Sequence, residues 1–182
     1  GDELLYITGD PYDTLLEVIG INGNGIGSLR EQGVHYQKVD LKDGEIDLAG
    51  VESAISSRTK VVAIQRSKGY DQRPSLNVAQ IQTAIQHIKE IDSNITVFVD
   101  NCYGEFVEEL EPTHVGADLM AGSLIKNPGG GLAKIGGYIV GNEDLIQRCG
   151  YRLTAPGIGK EAGASLSSLH EMYQGFFPVS YT

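Results

Sequence analysis

Ile95-Thr96-Val97-Phe98-Val99-Asp100-Asn101 is the stretch on which the fold turns. Ile95 to Val99 is apolar on both faces, as a central strand of a parallel sheet must be when helices cover it on either side. It follows the strongest helix signal in the chain, Ser75 to Ile91, which Pro74 introduces and in which Val78, Ile81, Ile85, Ile88 and Ile91 form one stripe. A helix feeding a buried strand is half of a βαβ unit, and the alternation extends outward in both directions. Upstream, Leu4 to Ile7, His35 to Val39 and Lys60 to Gln65 read as strands. Helices are predicted over Tyr12 to Ile19 and over Leu48 to Ser57, where Leu48, Val51, Ala54 and Ile55 share a face. Downstream, Asp118 to Gly122 and Gly137 to Val140 read as short strands, and Asn142 to Arg148 and Lys160 to Tyr173 as helices. The predicted class is α/β, a mostly parallel sheet flanked by helices. With 182 residues and no repeat, low-complexity tract or internal boundary, the chain reads as one domain.

Composition narrows the partners. Hydrophobic residues make up 41% of the chain, enough for a core, and 14 Lys plus Arg against 24 Asp plus Glu leave a net charge of -10. That balance repels phosphate backbones and anionic bilayers, so neither nucleic acid nor membrane is expected as a partner. No apolar run approaches the roughly 20 residues of a spanning helix, and Gly1-Asp2-Glu3 does not open a signal peptide, so a cytoplasmic protein is expected. Cys102 and Cys149 cannot make a disulfide framework and belong to no Cys-x-x-Cys pair. The chain enters the Leu4 to Ile7 run almost at once, without an initiator Met, and stops at Tyr181-Thr182 soon after Phe176-Phe177. A piece of a longer protein is the expectation.

Asp100 ends the buried strand, and ligands of open α/β sheets bind beyond the carboxyl ends of the strands. An Asp there can equally cap the following turn. The wider setting is Ala121-Gly122-Ser123-Leu124-Ile125-Lys126-Asn127-Pro128-Gly129-Gly130-Gly131, one lysine in a segment of small residues. Behind Leu124 and Ile125 and ahead of a loop almost without side chains, an amine can be desolvated, which favours its nucleophilic form toward an aldehyde. Pyridoxal 5'-phosphate (PLP) chemistry asks for a lysine that forms a Schiff base, an acid for the pyridine nitrogen and donors for the phosphate. Lys126, Asp100 and Ser123 are one of each.

Asp100-Asn101 followed by Ser123-x-x-Lys126 resembles the cystathionine/methionine lyase branch of fold-type I PLP enzymes. The likeness is closer still to the methionine gamma-lyase-related proteins labelled aluminium resistance proteins. It is carried by Gly9-Asp10-Pro11-Tyr12-Asp13-Thr14-Leu15, Gln65-Arg66-Ser67-Lys68-Gly69-Tyr70, the lysine segment and Leu153-Thr154-Ala155-Pro156-Gly157-Ile158-Gly159-Lys160. The resemblance implies the large, PLP-binding domain of the aminotransferase-like class, acting on a small, sulfur-containing amino acid by carbon-sulfur elimination. It implies that Lys126 holds the cofactor and moves the α-proton, that Asp100 keeps the pyridine nitrogen protonated, that Ser123 donates to the phosphate and that Tyr12 stacks on the ring. For Tyr12 an ordinary turn tyrosine fits the residues nearly as well. Arg66, Arg73 and Arg152 are candidates for a substrate carboxylate, which suits a planar bidentate donor. Relatives of this kind are longer, with a preceding segment that helps bind the phosphate and a following small domain, and they place active sites at a homodimer or homotetramer interface. A PLP-dependent transferase and a non-catalytic PLP-binding domain are the alternatives.

Other motifs carry less. Gly23-Asn24-Gly25-Ile26-Gly27-Ser28 imitates a dinucleotide loop but follows a helix-like stretch and lacks the third glycine. His35, His87, His114 and His170 contain no i, i+4 pair, so no metal site is expected. Gly122-Ser123 lacks the trailing glycine of a nucleophile elbow, since Ile125 stands there, which argues against a serine hydrolase.

Overall fold

The computed structural model describes residues 1–163 and 168–179. Six strands form one sheet: β1 (Glu3–Tyr6), β2 (His35–Lys38), β3 (Thr59–Gln65), β4 (Thr96–Asp100), β5 (Leu119–Ser123) and β6 (Gly137–Gly141), in the order β2-β1-β3-β4-β5-β6. The helices are α1 (Asp13–Ile19), α2 (Leu48–Ala54), α3 (Val78–Ile91), α4 (Glu143–Leu153) and α5 (Leu169–Val179). Short 3-10 turns occupy Pro112–Val115, Asn127–Gly129 and Gly159–Glu161. The α/β class and the mostly parallel sheet agree with the sequence reading. Of the helix expected over Lys160 to Tyr173, Lys160 and Glu161 lie in a 3-10 turn and Leu169 onward in α5, while 164–167 fall outside the described residues.

β1 through β5 run parallel and β6 pairs antiparallel to β5, from Leu119↔Gly141 to Ser123↔Gly137. A parallel return needs a crossover of a dozen or more residues, usually helical. The glycine-rich link from Lys126 to Gly136 contains no α-helix, so the strand comes straight back.

The larger core lies on the α2–α3 face of the sheet. There Leu5, Ile7, Val62, Ile64, Val97 and Val99 meet Val51, Ile81, Ala84, Ile85 and Ile88. The helical stripe seen in the sequence is therefore the buried face of α3. The helix begins three residues beyond the predicted Ser75, because Leu76 N–H is drawn to the Arg66 carbonyl (2.9 Å) and Asn77 caps the first turn, its side chain accepting from Gln80 N–H at 2.8 Å. Strand alternation sends Phe98 to the opposite face, onto Tyr6, Ile19 and Ala63. Asp100 shares that face.

Strand order reverses between β1 and β3, since β2 lies outside β1 while β3 lies on its other side. Chain leaving the carboxyl ends of those two strands diverges and opens a crevice, the usual binding place of doubly wound sheets.

Candidate active site

The crevice is a cleft of about 860 Å³, walled by Thr8 to Asp13 after β1 and by Gln65 and Lys68 to Pro74 after β3. Tyr12 stands in it with its N–H donating to Gln65 Oε1 at 2.8 Å. Its hydroxyl is 3.1 Å from that of Tyr70, and the two rings are 5.4 Å apart. The hydrogen bond to Tyr70, more than burial, pushes the Tyr12 phenol up to about 12.

Asp100, Ser123 and Lys126 lie beside the cleft, at the ends of the next two strands. Asp100 is the last residue of β4, in register with Gln65 on one side and Ala121 on the other. One carboxylate oxygen accepts the Cys102 N–H at 3.0 Å, so the turn-capping role left open by the sequence is filled. The charge of Asp100 also reaches inward. Tyr6, buried beneath it, has its phenol held above the usual range by burial first and by Asp100 second. The Cys102 thiol is pushed up to about 11 by burial and by the charge and hydrogen bond of Asp100, while Lys126 pulls in the other direction through a hydrogen bond and its own charge. The Cys102 thiol thus feels both the acid and the lysine.

Lys126 follows β5 and leads into the turn Asn127–Gly129, whose Gly129 N–H donates to the Lys126 carbonyl at 2.9 Å. The glycine is required here: a Cβ on Gly129 would stand 2.3 Å from the Leu124 carbonyl oxygen. Lys126 is half-buried, with Nζ 4.5 Å from the centre of the Tyr103 ring. Ser123 ends β5, its hydroxyl accepting from Ile125 N–H at 3.3 Å.

The three arginines have different surroundings. Arg66 is 3% exposed and fully committed: it donates to the Leu76 and Gly104 carbonyls and to Asn101 Oδ1, and it pairs with Glu108 (2.5 Å) and Glu111 (3.3 Å). Arg73 lines the cleft but donates to the carbonyls of Gln65, Ser67 and Pro74, and burial holds its guanidinium below the usual range. Arg152 lies in the last turn of α4. Among the described residues, no three His, Cys, Asp or Glu side chains are grouped to hold a metal.

Sequence reasoning missed Cys102 and Tyr103. Both directly follow Asp100-Asn101, so adjacency to a strand-terminal acid was the available signal.

Residues 1–180 match the family described as Methionine gamma-lyase. The Bacillus subtilis (strain 168) protein YnbB is 65% identical over 179 residues, 97% of this chain and 42% of its own. The chain therefore spans less than half the length of that relative. A crystal structure from Clostridium novyi NT, of a carbon-sulfur lyase involved in aluminum resistance, is 46% identical with a TM-score of 0.90, covering 100% of this chain and 44% of that one. Cystathionine gamma-lyase from Lactobacillus plantarum, complexed with L-serine, shares the fold at 20% identity and a TM-score of 0.69, over 100% of this chain and 42% of that one.

Proposed function

This chain belongs to the methionine gamma-lyase family, and on that premise we propose that it is the PLP-anchoring core of a carbon-sulfur lyase acting on a small, sulfur-containing amino acid. The observation that carries the reading is that the loop leaving Asp100 at the end of β4 meets the lysine segment that follows β5, with Lys126 Nζ 4.5 Å from the Tyr103 ring and Asn127 Nδ2 donating to the Tyr103 carbonyl at 3.1 Å. The named relatives support the reaction class.

The residues present fit the cofactor. The site holds a strand-terminal carboxylate, a half-buried primary amine in a loop with few side chains, a hydroxyl three residues before it and an aromatic ring in the neighbouring cleft. PLP held on a lysine supplies an electron sink that acidifies the Cα–H of a bound amino acid. Asp100 keeps the proton on the ring nitrogen, and its carboxylate is already oriented by the Cys102 N–H. Ser123 donates its hydroxyl to the phosphate, and Tyr12 covers the ring. Lys126 Nζ is the atom that takes and returns the substrate proton. Substrate binding and assembly as a homodimer or homotetramer belong to the full-length protein in this proposal.

Borohydride reduction of the full-length protein with PLP, followed by peptide mapping, tests the assignment. The expected result is a single reduced adduct on Lys126 and loss of the visible absorbance band in Lys126→Ala. An adduct on Lys134 or Lys160 with Lys126 unmodified would overturn it.

A further inference from the structure

Tyr103 is an aromatic residue in an unusual backbone position. With Phe106 and Asp43 it is one of three non-glycine residues with positive φ among the described residues, at +67°. An L-residue takes that conformation only when its surroundings impose it. Here a turn imposes it, closed by Gly104 N–H donating to the Asn101 carbonyl at 2.8 Å with Tyr103 as its third residue, and the buried Arg66 braces that turn. Arg66 Nη1 binds Asn101 Oδ1 at 2.8 Å and the Gly104 carbonyl at 2.9 Å, bracketing Cys102 and Tyr103. Gly104 must be glycine, since a Cβ there would fall 2.5 Å from Arg66 Nη1. Glu111 clamps the far side of the loop, one oxygen accepting Phe106 N–H at 2.8 Å and the other Asn101 Nδ2 at 2.9 Å.

Strain at this position does not serve core packing, because Tyr103 is 57% exposed. It presents the face of the ring to Lys126 Nζ, 4.5 Å away. The Tyr103 carbonyl meanwhile accepts from Asn127 Nδ2 at 3.1 Å, so the loop after Asp100 grips the lysine segment at two adjacent residues. A ring face attracts an ammonium through its quadrupole and leaves the hydroxyl free.

We infer that Tyr103 is a positioning residue that seats the amino group of Lys126 whenever that group is not bonded to cofactor. The inference rests on the reading of Lys126 as the cofactor lysine. A long, four-carbon side chain left unrestrained would sample many positions. The ring confines Nζ to one of them, from which it delivers its proton and re-forms its bond. Tyr103 itself takes no proton, and the ring face, not the hydroxyl, does the holding.

Two measurements on the full-length protein test this. The first needs no cofactor: competitive acetylation of the apoprotein by acetic anhydride, read by peptide mass spectrometry, with the exposed Lys134 as internal reference. Tyr103→Leu should acetylate Lys126 about two- to fivefold faster, the range an exposed cation–π contact corresponds to. Tyr103→Phe should stay within about twofold of the native rate. The second is steady-state turnover of the loaded enzyme, where Tyr103→Leu should lose on the order of tenfold in kcat with little change in KM, and Tyr103→Phe should retain most of it. Unchanged acetylation in Tyr103→Leu, equal damage from Leu and Phe, or faster acetylation with native kcat would each overturn the inference. Failure of the cofactor reading itself looks different: PLP would then be captured in Lys126→Ala, whatever the acetylation rates.

Discussion

The two ends of the sheet are built on different terms. In β1, β3 and β4, Leu5, Val62, Ile64, Val97 and Val99 are all at 0% exposure, sealed by α2 and α3. At the other end β6 has no buried residue, α4 has none either, and Ile139, Leu153, Tyr173, Phe176 and Phe177 stand exposed. Among the described residues, then, the β1–β4 region closes its own core and the β6–α4–α5 region does not. The proposed site straddles the seam: Asp100 belongs to the self-contained region, and Ser123 and Lys126 to the open one. Stability and chemistry thus depend on different parts of the molecule, and the loop from Asn101 to Glu111 joins them.

The contrast breaks most visibly in the core. Ile88→Ala removes a fully buried side chain from the inner face of α3 and should destabilise the protein by about 2–5 kcal/mol, through lost transfer energy and the cavity left behind. Leu153→Ala, at 66% exposure on α4, should cost no more than about 0.5 kcal/mol. Urea unfolding followed by circular dichroism measures both. Equal shifts in midpoint would mean that the outer region is packed after all.

Arg66→Ala attacks the seam. It leaves Glu111, with a side chain 17% exposed, and Glu108, at 36%, without their counter-charge, and it frees the Asn101 and Gly104 acceptors. Breaking a buried pair usually costs about 3–5 kcal/mol, and the partial exposure of Glu108 places this case at about 3 kcal/mol. The same unfolding experiment reports it, and Arg66→Lys should recover part of the loss. A loss below about 1 kcal/mol would show that the carboxylates are solvated without the arginine.

Legibility from sequence follows the same division. Where one face of an element is buried and the other is not, periodicity is imposed by the core, and α3, β3 and β4 could be read to within a few residues. Near the site the controlling interactions are long-range. Nothing in Gln65-Arg66-Ser67 says that the arginine is consumed by Glu108 and Glu111, so it stood beside Arg73 and Arg152 as a substrate candidate until its contacts were known. The positive φ of Tyr103 belongs to the turn that Gly104 N–H closes on the Asn101 carbonyl, and that distant side chain braces both ends of it. Asp100 and Lys126 could be proposed from the sequence because the features that single them out are local, a buried strand and a run of glycines. The antiparallel return of β6 was not foreseen, although the absence of a crossover helix before Gly137 was visible.

Cys102 offers the gentlest probe of the seam, because its thiol senses both sides at once. Burial and then Asp100 raise it to about 11 from an ordinary value of 9.0, against the opposing pull of Lys126. In the folded protein the thiol therefore stays protonated, and unreactive, through pH 8, whereas the unfolded chain already has a small thiolate fraction there. Two pH units correspond to roughly a hundredfold in that fraction, so alkylation of Cys102 by iodoacetamide at pH 8 should be on the order of ten to a hundred times slower than in urea. Cys149 on α4 serves as reference in the same sample. The stability contributed by the protonated thiol is fully present below pH 9 and is lost as pH rises from about 9 to about 11, because the unfolded chain ionises first. Replacing Lys126 with Met removes the opposing cation and should slow alkylation further. Cys102 reacting at pH 8 as fast in the folded protein as in urea would mean that the thiol is not buried beside Asp100, and an unchanged rate in Lys126→Met would mean that the amine does not reach it, so that the meeting of the two around Cys102 would fall.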